Sequence, residues 1–453
     1  MITPEEIALA RHAIDHSLAL GAQKVRVTLN KSLMELVGTL DGQIDKVSHC
    51  LDRSLTIALF VEGRYGSFSI NRMEEAVLDA FLERAVDTVR MLASDACRDL
   101  PDPERKATDA VTGDELGLYD PAYASLDIPR RREMALGASI YAARKAAGES
   151  DFTLLSEEGE YSNSIFDSVV IDSEGLFCRH RETSFEYGVE MTVEDASGNR
   201  YSGYWWDAAP FLKDLQIGSC CATALERAAA QIGPQPHPGG SCILVVQSEC
   251  ASKLVTPLLN ALGGYALQQK NSFLDGSLGK RLFPEGFTLT EVCRTPGQTG
   301  SRLFDSEGVA TQETPIIEDG VVRRYFLNTY IAAKLGMEPT VEDAICPAIL
   351  PWIVPGHGPV RSNQDEILRL CGEGILVTGF NGGNSNSSTG DFSYGIEGFA
   401  FKDGKILHPV REMLMTGNFL TLWNNLLAAG CDARACSARQ IPTLAFKNVD
   451  ISS

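Results

Sequence analysis

Phe185-Glu186-Tyr187-Gly188-Val189-Glu190-Met191-Thr192-Val193-Glu194 alternates between apolar side chains and polar or small ones along its whole length. Successive side chains of a strand point to opposite faces, so this period of two places Phe185, Tyr187, Val189, Met191 and Val193 on one buried face. Glu186, Glu190, Thr192 and Glu194 share the wet face with Gly188. A sheet that is dry on one side and wet on the other is typical of antiparallel pairing. Ser197-Gly198-Asn199 supplies a turn and residues 200–206 the return strand. The centre of the chain is therefore β.

Working back toward the start, Thr3 can cap a helix, Pro4 suits its first position, and Glu6 completes a capping box. Ile7, Ala10, Ile14 and Leu18 recur at helical spacing until Gly21. Strand-like runs cover 25–29, 33–40 and 55–61, with Asp41-Gly42 and Glu62-Gly63 as turns. A second helix opens near Asn71 and Glu74, with Met73, Val77, Phe81, Ala85, Val89 and Leu92 as its apolar stripe. Residues 95–128 are rich in Asp and Pro, lack periodicity, and read as a linker. A further helix is expected between Asp127 as cap and Gly148 as stop.

Working forward, an Ala-rich helix is expected over roughly 211–232, and Gly233-Pro234-Gln235-Pro236-His237-Pro238 marks a boundary. Residues 242–246 read as a buried strand and 249–262 as a helix ended by Gly263-Gly264. Hairpins are expected at 315–318/321–327 across Asp319-Gly320 and at 399–402/405–407 across Asp403-Gly404. A short helix over 418–429 and a strand from Thr443 complete the reading. The expected fold class is α+β: an N-terminal helix-and-sheet layer, an antiparallel β middle region, and a β-rich C-terminal domain with few helices. The expected divisions are 1–94, a linker 95–128, a middle region 129–232 packed with the first, and 239–453.

The chain has 453 residues, 40 Lys+Arg against 60 Asp+Glu, and a net charge of −20. Such a surface repels phosphate backbones, so nucleic-acid binding is not expected. Hydrophobic residues at 44% and charged residues at 22% fit a folded globular protein and exclude a disordered chain. No apolar run approaches the roughly 20 residues that span a bilayer, so no membrane segment is expected. The acidic start, Met1-Ile2-Thr3-Pro4-Glu5-Glu6, lacks a secretory n-region and predicts a cytoplasmic protein. The 12 cysteines are then expected as thiols, mostly in the core.

Catalytic signatures are conspicuously missing. His12-Ala13-Ile14-Asp15-His16 sets two imidazoles one helical turn apart, but Ala13 stands where a zincin carries its general-base Glu. The pair reads as a solvated helix face, and no zinc site built from this chain alone is expected. Gly276-Ser277-Leu278-Gly279-Lys280-Arg281 lacks the Gly and the Ser/Thr that a P-loop requires. Ser277 and Lys280 fit S-x-x-K, a pattern too short to carry weight. The feature that stands out is the polar, Gly-rich stretch from Asn381 to Gly395, which reads either as a substrate-contacting loop or as a solvated connection. Its candidate cleft residues are Asn384, Gly390, Asp391, Phe392, Ser393 and Tyr394.

Several motifs in order resemble the TldD/PmbA family, historically labelled modulators of DNA gyrase. They are Thr299-Gly300-Ser301-Arg302-Leu303-Phe304-Asp305-Ser306-Glu307-Gly308-Val309, Leu327-Asn328-Thr329-Tyr330-Ile331-Ala332-Ala333-Lys334-Leu335-Gly336, and Thr389-Gly390-Asp391-Phe392-Ser393. Pro409-Val410-Arg411-Glu412, Gly417-Asn418, Gly63-Arg64-Tyr65-Gly66-Ser67 and Asp172-Ser173-Glu174-Gly175 also fit. In the TldD branch, the helix after the strand that opens the last domain carries H-E-x-x-x-H. The corresponding helix here has no His, and its only acid is Glu249 at the start. Cys436 is the nearest positional match to a family metal ligand, without imidazoles to join it.

The resemblance therefore implies the PmbA (TldE) branch, with no metal or cofactor in this chain. Zinc would belong to a TldD-like metallo-subunit, and the pair would act on unfolded peptides, with this chain lining the cleft. A homodimer is the assembly open to the chain on its own. The rival readings are a homodimeric peptide-binding or scaffold protein and a stand-alone hydrolase using Ser277/Lys280 or a cysteine.

Overall fold

The computed structural model describes residues 1–147 and 151–452. The chain forms two compact units. The first comprises Met1–Leu225, Arg294–Gln312 and Leu327–Glu342; the second comprises Glu226–Cys293, Glu313–Phe326 and Asp343–Ser453.

In the first unit, helix α1 (Pro4–Ala19) starts as the sequence dictates. Thr3 Oγ1 accepts from the Glu6 amide at 3.3 Å, and Glu6 Oε2 accepts from the Thr3 amide at 2.8 Å. Two of the orphan donors of the first turn are satisfied in this way. Strands β1 (Lys24–Leu40), β2 (Gln43–Val61) and β3 (Arg64–Ile70) follow. The two runs expected at 25–29 and 33–40 are one strand of 17 residues. Helix α2 (Glu75–Arg90) buries Leu78, Leu82, Ala85, Val86 and Val89. Its dry face is thus turned from the expected stripe, and Leu92 is left exposed.

The helix expected from Asp127 to Gly148 is two helices, α3 (Ile128–Gly137) and α4 (Tyr141–Ala147); Gly148 lies outside the described residues. The break is bought by a carboxylate, since Glu157 Oε2 accepts from the Ile140 amide at 3.0 Å. Strands β4 (Phe152–Asp172), β5 (Phe177–Asp195) and β6 (Arg200–Ala209) then extend the first sheet, in the order β3-β2-β1-β4-β5-β6, all antiparallel. The N-terminal layer and the middle β region therefore share one sheet. On β5, Phe185, Tyr187, Val189, Met191 and Val193 are all buried, as the period requires.

Residues 95–127 have no helix or strand beyond two 3-10 turns. They nonetheless bury Leu100, Ala107, Ala110, Leu116, Leu118 and Tyr123, several of them in a cluster with Val170, Cys178 and Phe304. Helix α5 (Cys220–Ala229) is shorter than the expected 211–232, because β6 runs on to Ala209 and a 3-10 turn follows.

The second unit begins with β7 (Gly240–Val246), α6 (Ser248–Leu262) and α7 (Gly264–Gln268). A four-stranded sheet holds β8 (Leu289–Glu291), β9 (Pro315–Glu318), β10 (Val321–Val322) and, after α8 (Thr329–Leu335) of the first unit, β11 (Pro347–Ile349). Then come β12 (Trp352–Ile353), α9 (Gln364–Cys371), β13 (Glu373–Ser385), β14 (Asp391–Lys402), β15 (Lys405–Asn418), α10 (Phe419–Asn424), β16 (Leu426–Ala429) and β17 (Leu444–Ser452). Strand β7 pairs in parallel with β13 and antiparallel with β17, so β7, β13, β14, β15 and β17 close a ring. Closure removes most of the edge that an open sheet would present, leaving β13 unpaired on its β7 side beyond Val377. The expected helix over 418–429 ends at Asn424, because Leu426 is drawn into pairing with Phe446 of β17. The class is α+β throughout.

Candidate functional site

The polar stretch 381–395 is a strand hairpin rather than a loop. Strand β13 runs to Ser385, β14 starts at Asp391, and only residues 386–390 form the tip. The register shifts between Phe380 and Gly383, where Gly382 and Gly383 take φ of 78° and 107°. A Cβ on Gly383 would lie 2.2 Å from the Ser393 carbonyl oxygen, so only glycine fits there. Beyond Val377, β13 has no further pairing with β7, and its outer edge over residues 379–385 carries no other strand among the described residues.

The hairpin separates the expected cleft residues into two groups. Phe392 and Tyr394 are 6% and 3% exposed and belong to an aromatic stack. Phe392 lies 4.8 Å from Phe419 and 5.4 Å from Tyr394 between ring centroids. These side chains face the interior of the unit. Gly390 is buried at φ +80°, and a Cβ there would meet the Phe273 ring at 3.1 Å. Asn384 is exposed and sits opposite the half-buried Ser393. Asp391 is exposed, with its carboxylate accepting from Thr389 Oγ1 at 2.7 Å and Asn418 Nδ2 at 2.9 Å. These bonds hold its carboxyl below the ordinary range.

Sequence reasoning missed what the tip packs against. The Phe273 amide donates to the Ser387 carbonyl at 2.8 Å, and Ser388 Oγ donates to Asn271 at 2.6 Å. Between the tip and α6 lies a pocket of about 100 Å³, lined by Pro257, Asn260, Asn271, Phe273, Asn386 and Phe419 among others. Lys253 of α6 sits 5.0 Å over the Tyr394 ring. Nothing in the spacing of 257–273 announces this neighbourhood; it exists because the hairpin folds back across the end of the helix.

The stand-alone catalytic candidates are not assembled. Ser277 is 3% exposed, its amide donates to Tyr325 Oη at 2.7 Å, and its hydroxyl lies 3.3 Å from that same oxygen. Lys280 is exposed and joins Ser277 only through a backbone turn. Burial pushes the thiols of Cys178, Cys250 and Cys371 up to about 12 and those of Cys221 and Cys242 to about 11, which suppresses the nucleophilic thiolate. Cys436 belongs to no group of three metal-ligating side chains among the described residues.

A second, larger hollow of about 460 Å³ lies on the wet face of the six-stranded sheet. Gly38 and Gly188, both opposite Glu160 of β4, leave room for it, and a Cβ on Gly188 would sit 2.5 Å from Tyr204 Oη. Glu158, Glu160, Glu186 and Glu190 make its rim acidic.

The comparisons with known proteins agree with this architecture. The model of the PmbA/TldA metallopeptidase central domain matches residues 122–232, and that of the C-terminal domain matches 239–453. A crystal structure from Bacteroides thetaiotaomicron, described as a modulator of DNA gyrase, is 36% identical and superposes with a TM-score of 0.92 over all of both chains.

The chain belongs to the PmbA/TldD family.

Metalloprotease PmbA of Escherichia coli O157:H7 is 27% identical over 98% of this chain and 96% of its own length. TldE from Thermococcus kodakarensis shares the fold, with a TM-score of 0.81 at 18% identity over 98% of this chain and all of its own. The family is named for metalloprotease activity, so the donors matter. Helix α6 offers Glu249, Cys250, Ser252, Lys253, Thr256 and Asn260, with no imidazole. Cys250 Sγ lies 3.4 Å from the Gln247 carbonyl and 3.6 Å from that of Val377, and is held protonated by burial. This donor set does not fit a hydrolytic zinc ion, which needs two or three nitrogen or carboxylate ligands converging on one point. No helix among the described residues is long and apolar enough to cross a membrane.

Proposed function

We propose that this chain is the PmbA/TldE-like subunit, without a hydrolytic zinc of its own, of a cytoplasmic heterodimeric metallopeptidase in which a TldD-like partner carries the catalytic zinc. The observation that carries the reading is helix α6: the family resemblance equates it with the zinc helix of the TldD branch, yet it offers no zinc ligand set, and it borders the β13–β14 tip. The partner's metal would supply the activated water. This chain would supply part of the cleft wall.

The free edge of β13 over residues 379–385 gives that wall a mode of action. An extended peptide can add to such an edge through backbone hydrogen bonds, with Asn384 beside it and Ser393 one strand further in on the same face. Only unfolded chain has its backbone free for this, so the substrate class is unfolded peptide. The burial of Ser277 and the raised thiols of Cys178, Cys221, Cys242, Cys250 and Cys371 argue against a stand-alone hydrolase built on those residues.

The test is reconstitution. The complex with a TldD-like chain is expected at equal stoichiometry and to cleave unstructured peptides, with cleavage lost on chelation, while this chain alone is inert. Ser393→Ala and Asp391→Ala should raise KM for peptide. Turnover by the isolated chain in the presence of chelator would sink the reading, as would failure of the two chains to associate.

A further inference from the structure

His12 and His16, one turn apart on α1, are joined by Asp79 from α2. Their rings stack with centroids 5.7 Å apart and planes at 17°, and Asp79 Oδ1 lies 2.7 Å from His12 Nε2. One ligand atom from each of the three falls within 4.8 Å of the others. His16 Nε2 is buried and has no hydrogen-bond partner. Both rings are half-buried, and the arrangement adds to the solvated-face reading a carboxylate from a second helix that no spacing along α1 could announce.

We propose that His12, His16 and Asp79 form a three-ligand site for a divalent transition ion of the zinc class, fastening α1 to α2. The donor set of two imidazoles and one carboxylate selects such an ion over Ca²⁺ or Mg²⁺, which prefer oxygen. A cation placed where the three ligand atoms converge, in line with the ring-nitrogen lone pairs, gives the orphaned His16 nitrogen a partner and a carboxylate to balance part of its charge. His12 and Asp79 keep about a third of their side-chain surface, 33% and 31%, so an ion can enter and a water can complete a tetrahedron. Ala13, buried between the two histidines in sequence, brings no general base to the ion. The site is structural rather than hydrolytic. It rests on the first unit alone and stands independently of the peptidase reading.

The experiment uses the full chain, stripped of metal and titrated with ZnCl₂ in a calorimeter, with thermal unfolding followed in parallel. One equivalent is expected to bind and to raise the unfolding temperature, while CaCl₂ and MgCl₂ do neither. His16→Ala and Asp79→Asn should each weaken zinc at least tenfold, and His12→Ala/His16→Ala should abolish that equivalent. The Co²⁺-loaded chain should show a d–d spectrum without a thiolate charge-transfer band. This last readout guards against capture by the cysteines and does not depend on how a variant folds. Zinc affinity unchanged in His12→Ala/His16→Ala, a thiolate band with Co²⁺, or no binding at all would overturn the site.

Discussion

Asn418 Nδ2 donates to Asp391 Oδ1 at 2.9 Å, tying the first residue of β14 to the last residue of β15. The same amide group donates to the Thr389 carbonyl at 2.8 Å, and the Phe419 amide donates to the Gly390 carbonyl at 2.8 Å. The two residues come from separate sequence motifs, 389–393 and 417–418, and meet at the base of the hairpin tip. Their pairing holds the Asp391 carboxyl low. A depressed carboxylate contributes stability above its ordinary value of 3.8, and that contribution is lost as pH falls through the lowered one. Asn418→Ala should therefore raise the Asp391 pKa in an NMR titration of the carboxyl carbon; an unmoved value would break the link between the two motifs.

Gly390→Ala should destabilise the second unit. Its φ of +80° is unfavourable for any residue with a Cβ, and the new methyl would meet Phe273 at 3.1 Å. Strain of this kind costs about 1–3 kcal/mol. Denaturant titration reads the loss, and faster hydrogen exchange at the Phe419 amide should accompany it. Stability equal to the parent chain would show that the tip can repack.

Asp305 makes stability depend on pH. Burial, with Glu307 close by, pushes its carboxyl up to about 6 against an ordinary 3.8, although the amides of Glu307, Val309 and Glu342 donate to it. The folded state thus prefers the protonated form. That contribution is complete below 3.8 and is lost as pH rises through about 6. The parent chain should lose up to about 3 kcal/mol across this window relative to Asp305→Asn, which cannot titrate. Unfolding curves of both proteins from pH 4 to 7 check it; parallel pH profiles would refute the shift.

Thiol labelling should be biphasic. Cys50 and Cys431 are exposed, whereas Cys178, Cys250 and Cys371 are held protonated up to about 12 by burial. A disulfide reagent at pH 8 should modify the exposed pair at least a hundredfold faster, because the thiolate is the reacting species. Mass mapping after a short pulse identifies the sites. Early labelling of Cys250 would imply that α6 opens from β13.

Local rules made some of this molecule readable. The turns at 41–42, 62–63, 319–320 and 403–404 each pair an acidic residue with Gly, and every one of those eight residues has positive φ. The capping box at Thr3 and the alternation along 185–193 needed no partner to be interpreted. Strand β4 escaped because Glu157, Asn163 and Asp167 occupy its dry face and break the hydrophobic period. Those polar groups are stabilised by distant partners such as Arg179, whose guanidinium donates to Asp167 at 2.7 Å. At the candidate site, residue types marked the 381–395 stretch, but which side chains face outward was set by the stacking of Phe392, Tyr394 and Phe419.

The amino-acid order alone determined the α+β class, the tight turns, the family motifs and the want of zinc ligands on the helix after β7, because each depends on neighbours within a few positions. Tertiary structure alone decided that two β regions share one sheet, that the last strands close a ring, and that Asp79 joins His12 and His16. Those outcomes bring together residues tens to hundreds of positions apart, and a chain's local preferences hold no record of which remote segment will pack against them.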